Sequence, residues 1–186
     1  MAPVRTFLYP FIVLAMTTSA AAQERMIHKE IVVDVPPATA FKAWSTPEGL
    51  QSFFAPEAVV EARPMGAFAI HFNPYAAAGQ KGGDDLRVLA IQPDRMISFT
   101  WNAPPSFPEI RPQRTVVVVR TEPAGDGKTR VSISHLAWGT GGQWDEVFKY
   151  FENAWGYVLS SYEKSLKDGP RDWKPSLDKL KAQTPR

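Results

Sequence analysis

The chain has 186 residues and no cysteine. Disulfides, thiolate nucleophiles and cysteine-ligated metals are therefore excluded, and stability must come from packing alone. An excess of one charge is also missing: Lys and Arg number 21, Asp and Glu 19, for a formal net charge of +2. That balance leaves no electrostatic footprint for nucleic acid, and no nucleic-acid partner is expected. Histidine is scarce. His28, His71 and His135 lie far apart, without the spacing of a metal site, so no metal is expected. The nucleotide, hydrolase and metalloprotease motifs G-x-G-x-x-G, P-loop, G-x-S-x-G and H-E-x-x-H are all absent, so no cofactor and no catalytic residue are assigned. Gly79 to Gly83 lacks the P-loop spacing and reads as loop. No repeat recurs at solenoid spacing.

Long apolar runs are lacking too. Phe7 to Met16 is apolar but well short of the roughly 20 residues a membrane span needs. It follows a positively charged start, Met1 to Arg5, and precedes the small residues Thr17 to Ala22. Ala20 and Ala22 fit the A-x-A cleavage pattern. Residues 1–22 thus read as a signal peptide, cleaved near Ala22. The mature chain is expected to be periplasmic or secreted, with no stable membrane insertion.

What the chain has in abundance is aromatic surface, 12% of residues with six Trp, which argues for a packed core. His28 to Val35 reads as a strand, ended by Pro36 and Pro37, which also suit a first helical turn. A short helix over Ala38 to Trp44 follows. Ser45 and Glu48 stand at capping-box spacing before a second short helix that ends near Phe53 and Phe54. Strands are then expected at Ala58 to Arg63, Ala67 to Asn73, Leu86 to Ile91, Met96 to Asn102, Thr115 to Glu122 and Lys128 to Trp138, joined mostly by short turns. Such strands favour one antiparallel sheet. Residues 74–84 and 103–112 read as loops.

Gly141 to Leu166 is a long amphipathic helix, with Thr140 and Gln143 at capping-box spacing and Gly169-Pro170 as its stop. Its apolar residues fall within an arc of roughly 140° at 100° per residue. A sheet with one such helix must bury a face against it, an α+β arrangement. Residues 25–167 are expected to form the domain. Residues 168–186 form a polar tail whose large apolar group is Trp173.

Three stretches carry a family resemblance: VPPATAFKAWSTPEGLQSFF (35–54), PMGAFAIHF (64–72) and GGQWDEVFKYFENAWGYVLSSYEKSL (141–166). Together they resemble the START/SRPBCC superfamily, in the branch of homologues of the activator of the heat-shock protein 90 ATPase. The resemblance implies the helix-grip fold: a curved antiparallel sheet wrapped around a long C-terminal helix, with two short helices after the first strand. One departure is the pair Phe53-Phe54, where the family usually carries a Phe-Trp or Trp-Phe pair. The indole donor is thereby lost. The superfamily hosts carriers, receptors, cyclases and co-chaperones, so it speaks to fold more than to function.

Alternation points Phe68, Ile70 and Phe72 inwards from one strand, and Phe99 and Trp101 from another. Phe148, Phe151 and Trp155 would face them from the helix. Read from the residues, this is core packing. The resemblance implies a cavity between sheet and helix, lined by these side chains and holding a small hydrophobic or amphipathic molecule. His135 continues the inward series Val131, Ile133 and is the polar candidate, either a ligand contact or acid–base group, or a hydrogen-bonded histidine at the cavity edge. His71 falls on the opposite face, and His28 lies near the mature N-terminus. Asp84-Asp85 reads as a turn, with a weak cation contact as the alternative. Tyr150 and Tyr157 lie on the helix flank, as surface residues, at the rim or against the tail. An exported binding domain is the expectation. The alternatives are an enzyme acting on a small hydrophobic compound and a co-chaperone-like protein-binding module, the latter disfavoured by the leader.

Overall fold

The computed structural model describes residues 25–183, so the expected leader and its expected cleavage site lie outside the described residues. Ile27–Val33 forms β1. Pro37–Ser45 forms α1, with proline in its first turn, and Pro47–Gln51 forms α2. Six strands follow: β2 Glu57–Val60, β3 Ala67–His71, β4 Gly82–Gln92, β5 Met96–Trp101, β6 Thr115–Pro123 and β7 Thr129–Leu136. Gln143–Asp168 forms α3 and Lys174–Gln183 forms α4. The chain is α+β, with the helix-grip architecture.

The strands form one antiparallel sheet in the order β1-β7-β6-β5-β4-β3-β2. β1 pairs with β7 from Ile27 opposite His135 to Val33 opposite Thr129. One face buries Phe68, Ile70, Ile97, Phe99, Val131 and Ile133. α3 packs on that face through Val147, Phe151, Trp155, Leu159 and Tyr162, spaced by three and four as one helical stripe requires. The α1–α2 pair closes one end. Trp44 meets Phe53 edge-on at 4.9 Å and Tyr162 at 5.5 Å, and the Tyr162 hydroxyl donates to the Ala40 carbonyl at 3.2 Å.

Local capping differs from the expectation at two helices. Ser45 lies inside α1, where its hydroxyl donates to the Phe41 carbonyl. Thr46 caps α2 instead, its Oγ1 accepting from Gly49 N at 3.1 Å. Gly142 is the N-cap of α3, and the Gln143 side chain accepts from Glu109 N, so no Thr140–Gln143 box forms. Helix start is set there by Gly141 and Gly142 at positive φ, with Asp145 Oδ1 accepting from Gly141 N.

A third difference bears on the site. β4 begins at Gly82, inside the expected loop. Its register slips against β3 between Phe68 and Ile70, and Asp85 has φ 53°. This bulge lets two glycines and two aspartates join a strand whose composition argues against one. Gly82 has φ 151°, and a Cβ there would come within 2.4 Å of the Ile70 carbonyl. Glycine is what permits that approach.

The tail is docked. Arg171 N donates to the Ser52 carbonyl at 2.8 Å and Trp173 Nε1 to the Gln51 carbonyl at 2.6 Å. α4 follows without a buried residue. Among the described residues, no helix is long and apolar enough to cross a membrane.

Candidate functional site

Beside the middle of α3 lies a recess of about 540 Å³ that opens to solvent. The floor comes from Trp101 at the end of β5, with Phe54 just after α2. Their rings lie nearly parallel, 12° apart with centroids at 5.8 Å. α3 supplies one wall through Phe151, Ala154, Trp155 and Val158, and the rim through Tyr150 and Tyr157. The opposite wall is Phe72, Gly82 and Gly83, with Pro104 and Pro105 from the loop after β5. No carboxylate, amine or imidazole is among these lining residues.

Arg111 holds that opposite wall. Its Nη2 donates to the carbonyls of Gly79 at 2.6 Å and Gly82 at 3.0 Å, and to Asp84 Oδ2 at 2.9 Å. Its Nη1 donates to the Ala103 carbonyl. One buried guanidinium thus ties the loop before β4 to the loop after β5. Burial lowers the Arg111 pKa, and the neighbouring Asp84 carboxylate opposes that change. Asp84 also accepts from Gly82 N, so this half of the acidic pair is part of a structural clamp, while Asp85 is exposed at the bulge. His71 stands between Glu57 at 3.4 Å and Asp84 at 3.8 Å, less solvated than expected.

Of the expected site residues, Phe72, Trp101, Phe151 and Trp155 come together at the recess. Phe68 and Phe99 do not reach it; they stack on each other at 4.1 Å in the core. Ile70 is fully buried beneath them. Phe148 packs edge-on against Trp138 at 5.1 Å, with the Arg25 guanidinium over its ring. The centre of the space expected between sheet and helix is filled, and the open volume lies at its edge.

His135 is completely buried behind Trp155. Its Nδ1 accepts from Trp155 Nε1 at 2.9 Å, so the proton sits on Nε2, which faces Thr115 Oγ1 at 2.7 Å. Burial pushes its pKa down to about 3. A neutral imidazole with both nitrogens engaged is the hydrogen-bonded alternative that the sequence left open. It has neither proton nor lone pair to offer a ligand.

Sequence reasoning misses Asn102, Ala154, Val158 and the two prolines. Asn102 follows the inward series Ile97, Phe99, Trp101 by one residue, so alternation assigns it to the other face and no sequence signal marks it. It lines the recess at 6% exposure, and its carboxamide has no hydrogen-bond partner among the described residues. The side-chain atoms that are both sealed and unpaired are Trp44 Nε1 and Trp101 Nε1, and the Asn102 amide is not one of them. Its residual accessibility therefore includes the amide. Phe54, half of the departing Phe53-Phe54 pair, supplies an aromatic face where an indole would have supplied a donor.

Among the described residues no cluster of His, Asp and Glu could hold a metal ion.

Residues 34–167 match the model of the family described as Activator of Hsp90 ATPase homolog 1-like protein. No curated protein sequence matches the chain. Solved structures share its fold at low identity. Protein MLL2253 from Mesorhizobium loti is 21% identical with a TM-score of 0.62, over 77% of this chain and 97% of that one. The Aha1 dimer from Colwellia psychrerythraea is 18% identical with a TM-score of 0.60, over 78% and 98%. An HSP90 activator from Plasmodium falciparum is 17% identical with a TM-score of 0.53, also over 78% and 98%.

Proposed function

From the premise that the chain belongs to the Activator of Hsp90 ATPase homolog 1-like family, we propose that it is an exported domain binding a small, largely apolar molecule in the recess between α3 and the sheet edge. One observation carries this reading: large apolar side chains line an open volume of about 540 Å³ instead of filling it. That volume suits a small organic ligand, and such sites are mostly apolar with a few polar groups that orient the guest. Phe72 and Tyr157 stay substantially exposed at the rim, where a guest would cover them. The wall is also pre-formed, because the Arg111 clamp holds both loops, and a pre-formed site loses less entropy on binding. The enzyme alternative has no residue to rest on: no acid–base group other than tyrosine lines the recess, and His135 is engaged behind it.

The test is a titration with the fluorescent apolar probe 1-anilinonaphthalene-8-sulfonate. Ala154 is a small residue in the recess wall. Ala154→Trp fills the space, so it should weaken saturable binding at least about tenfold while the fold remains. Equal binding by wild type and variant would refute the site. Export rests on residues 1–22. Recovery from the periplasm or medium of a chain beginning at Gln23 supports it, and an uncleaved cytoplasmic chain counts against it.

A further inference from the structure

Deepening that reading, and resting on it, we infer that the recess recognises an apolar molecule bearing a lactam-type edge, a hydrogen-bond donor beside an acceptor, and that Asn102 is the residue that reads this edge. A carboxamide offers one acceptor and two donors side by side. A guest that covers such a group strips it of water, which is costly unless the guest pairs with it. Asn102 is 6% exposed, lines the recess, and has no partner among the described residues.

The other polar groups on the wall are already engaged or too exposed to discriminate. Asn153 donates to the Lys149 carbonyl at 3.3 Å. The Tyr157 hydroxyl accepts from Arg171 at 2.9 Å and its residue is 63% exposed. Trp101 Nε1 is unpaired but sealed, so its ring would have to turn before meeting a ligand. Asn102 needs no such motion.

The backbone beside Asn102 is also fixed. Arg111 Nη1 binds the carbonyl of the next residue, Ala103, and the same guanidinium anchors Gly79 and Gly82 across the recess. A side chain on a fixed backbone needs less ordering on recognition. The walls call for an apolar guest. Phe54 and Trp101 stack on one side and Phe151 and Trp155 on the other, and the two pairs meet at 51–61°, so the aromatic surface forms a wedge.

The experiment compares two probes of nearly equal apolar area, phenanthridinone and its N-methyl derivative, which lacks the donor. Tryptophan fluorescence follows their binding to wild type and to Asn102→Leu. The wild type should bind phenanthridinone about tenfold more tightly than the N-methyl compound, the value of a paired buried hydrogen bond. Asn102→Leu should abolish that preference while keeping the weaker affinity within about threefold. Asn102→Ser, checked by circular dichroism, replaces the Leu variant should that one misfold, with the same loss of preference expected. Equal affinity of the two probes for wild type overturns the inference and leaves the recess as a binding site. A preference that persists in both Asn102 variants also overturns it. Failure of both probes to bind wild type removes the recess reading itself, and this inference with it.

Discussion

Trp155 donates its indole N–H to Nδ1 of His135 across 2.9 Å, and both residues are buried. The bond joins α3 to β7 at the centre of the molecule and fixes the imidazole as the neutral Nε2–H tautomer. Thr115, on β6, completes the chain at 2.7 Å. The residue that most invited a catalytic reading is therefore a structural joint.

The joint makes stability depend on pH. Burial holds the folded His135 pKa at about 3, below its ordinary value of 6.5. The unfolded chain takes up a proton first, so stability present above pH 6.5 is lost as pH falls toward 3. Between those two values the folding free energy changes by about 1.4 kcal/mol per pH unit, so moving from pH 7 to pH 5 should cost about 2 kcal/mol. The lowered pKa values of Asp34, Asp145 and Asp168 act in the same direction but only below the carboxylate range, near pH 4. Urea unfolding at pH 7, 6 and 5 isolates the histidine, and an unchanged midpoint over that window would contradict the assignment.

Trp155→Phe should destabilise the fold by about 1–3 kcal/mol, because it leaves a buried nitrogen acceptor without its donor. Thr115→Val should cost a similar amount by orphaning Nε2–H. Their combination should be non-additive, since one imidazole links them. A double-mutant cycle by chemical denaturation checks this, and strict additivity would mean the bonds act separately.

Arg111→Met should cost roughly 3–5 kcal/mol, because Asp84 is left as a buried charge and five donor contacts vanish. Replacing Asp84 as well should recover part of the loss. Amide hydrogen exchange should quicken in residues 74–83 and 103–113 together. Protection unchanged in either loop would show that the clamp does not couple them.

Much of this fold is legible in the order of its residues. The alternation of Phe68 and Ile70, and of Ile97, Phe99 and Trp101, marks strands with one buried face. The three-and-four spacing of α3 marks the stripe that covers them. β4 is harder, because Gly82 to Asp85 belong to a bulge that only pairing with β3 stabilises. The site is legible in part. Inward aromatics identify a core, but which of them border empty space depends on how closely α3 approaches the sheet. Arg111 gives no local signal: its partners Gly79, Gly82 and Asp84 lie 32, 29 and 27 residues away. Asn102 gives none either: alternation after Trp101 assigns it to the opposite face, and it lines the recess just past the end of β5. Helical periodicity leaves Tyr157 between rim and tail, and it serves both, lining the recess while accepting from Arg171.

The tail should behave as a docked strap. Trp173→Ala removes the bond to the Gln51 carbonyl and the ring beneath the Arg171 guanidinium. Limited proteolysis should then cut within residues 170–183 well before the rest of the domain, with the thermal midpoint changed by only a few degrees. Cleavage at the wild-type rate would show that other contacts hold the segment.

The most direct test of the central claim is a map of where a small apolar molecule sits. Backbone and side-chain NMR shifts of the protein, followed while 1-anilinonaphthalene-8-sulfonate is added, would supply it. The account predicts the largest, saturable changes at the Asn102 carboxamide, the Trp101 and Trp155 indoles, Ala154 and Val158. Changes confined to the polar cleft between α3 and residues 169–172, or spread evenly over the surface, would contradict it.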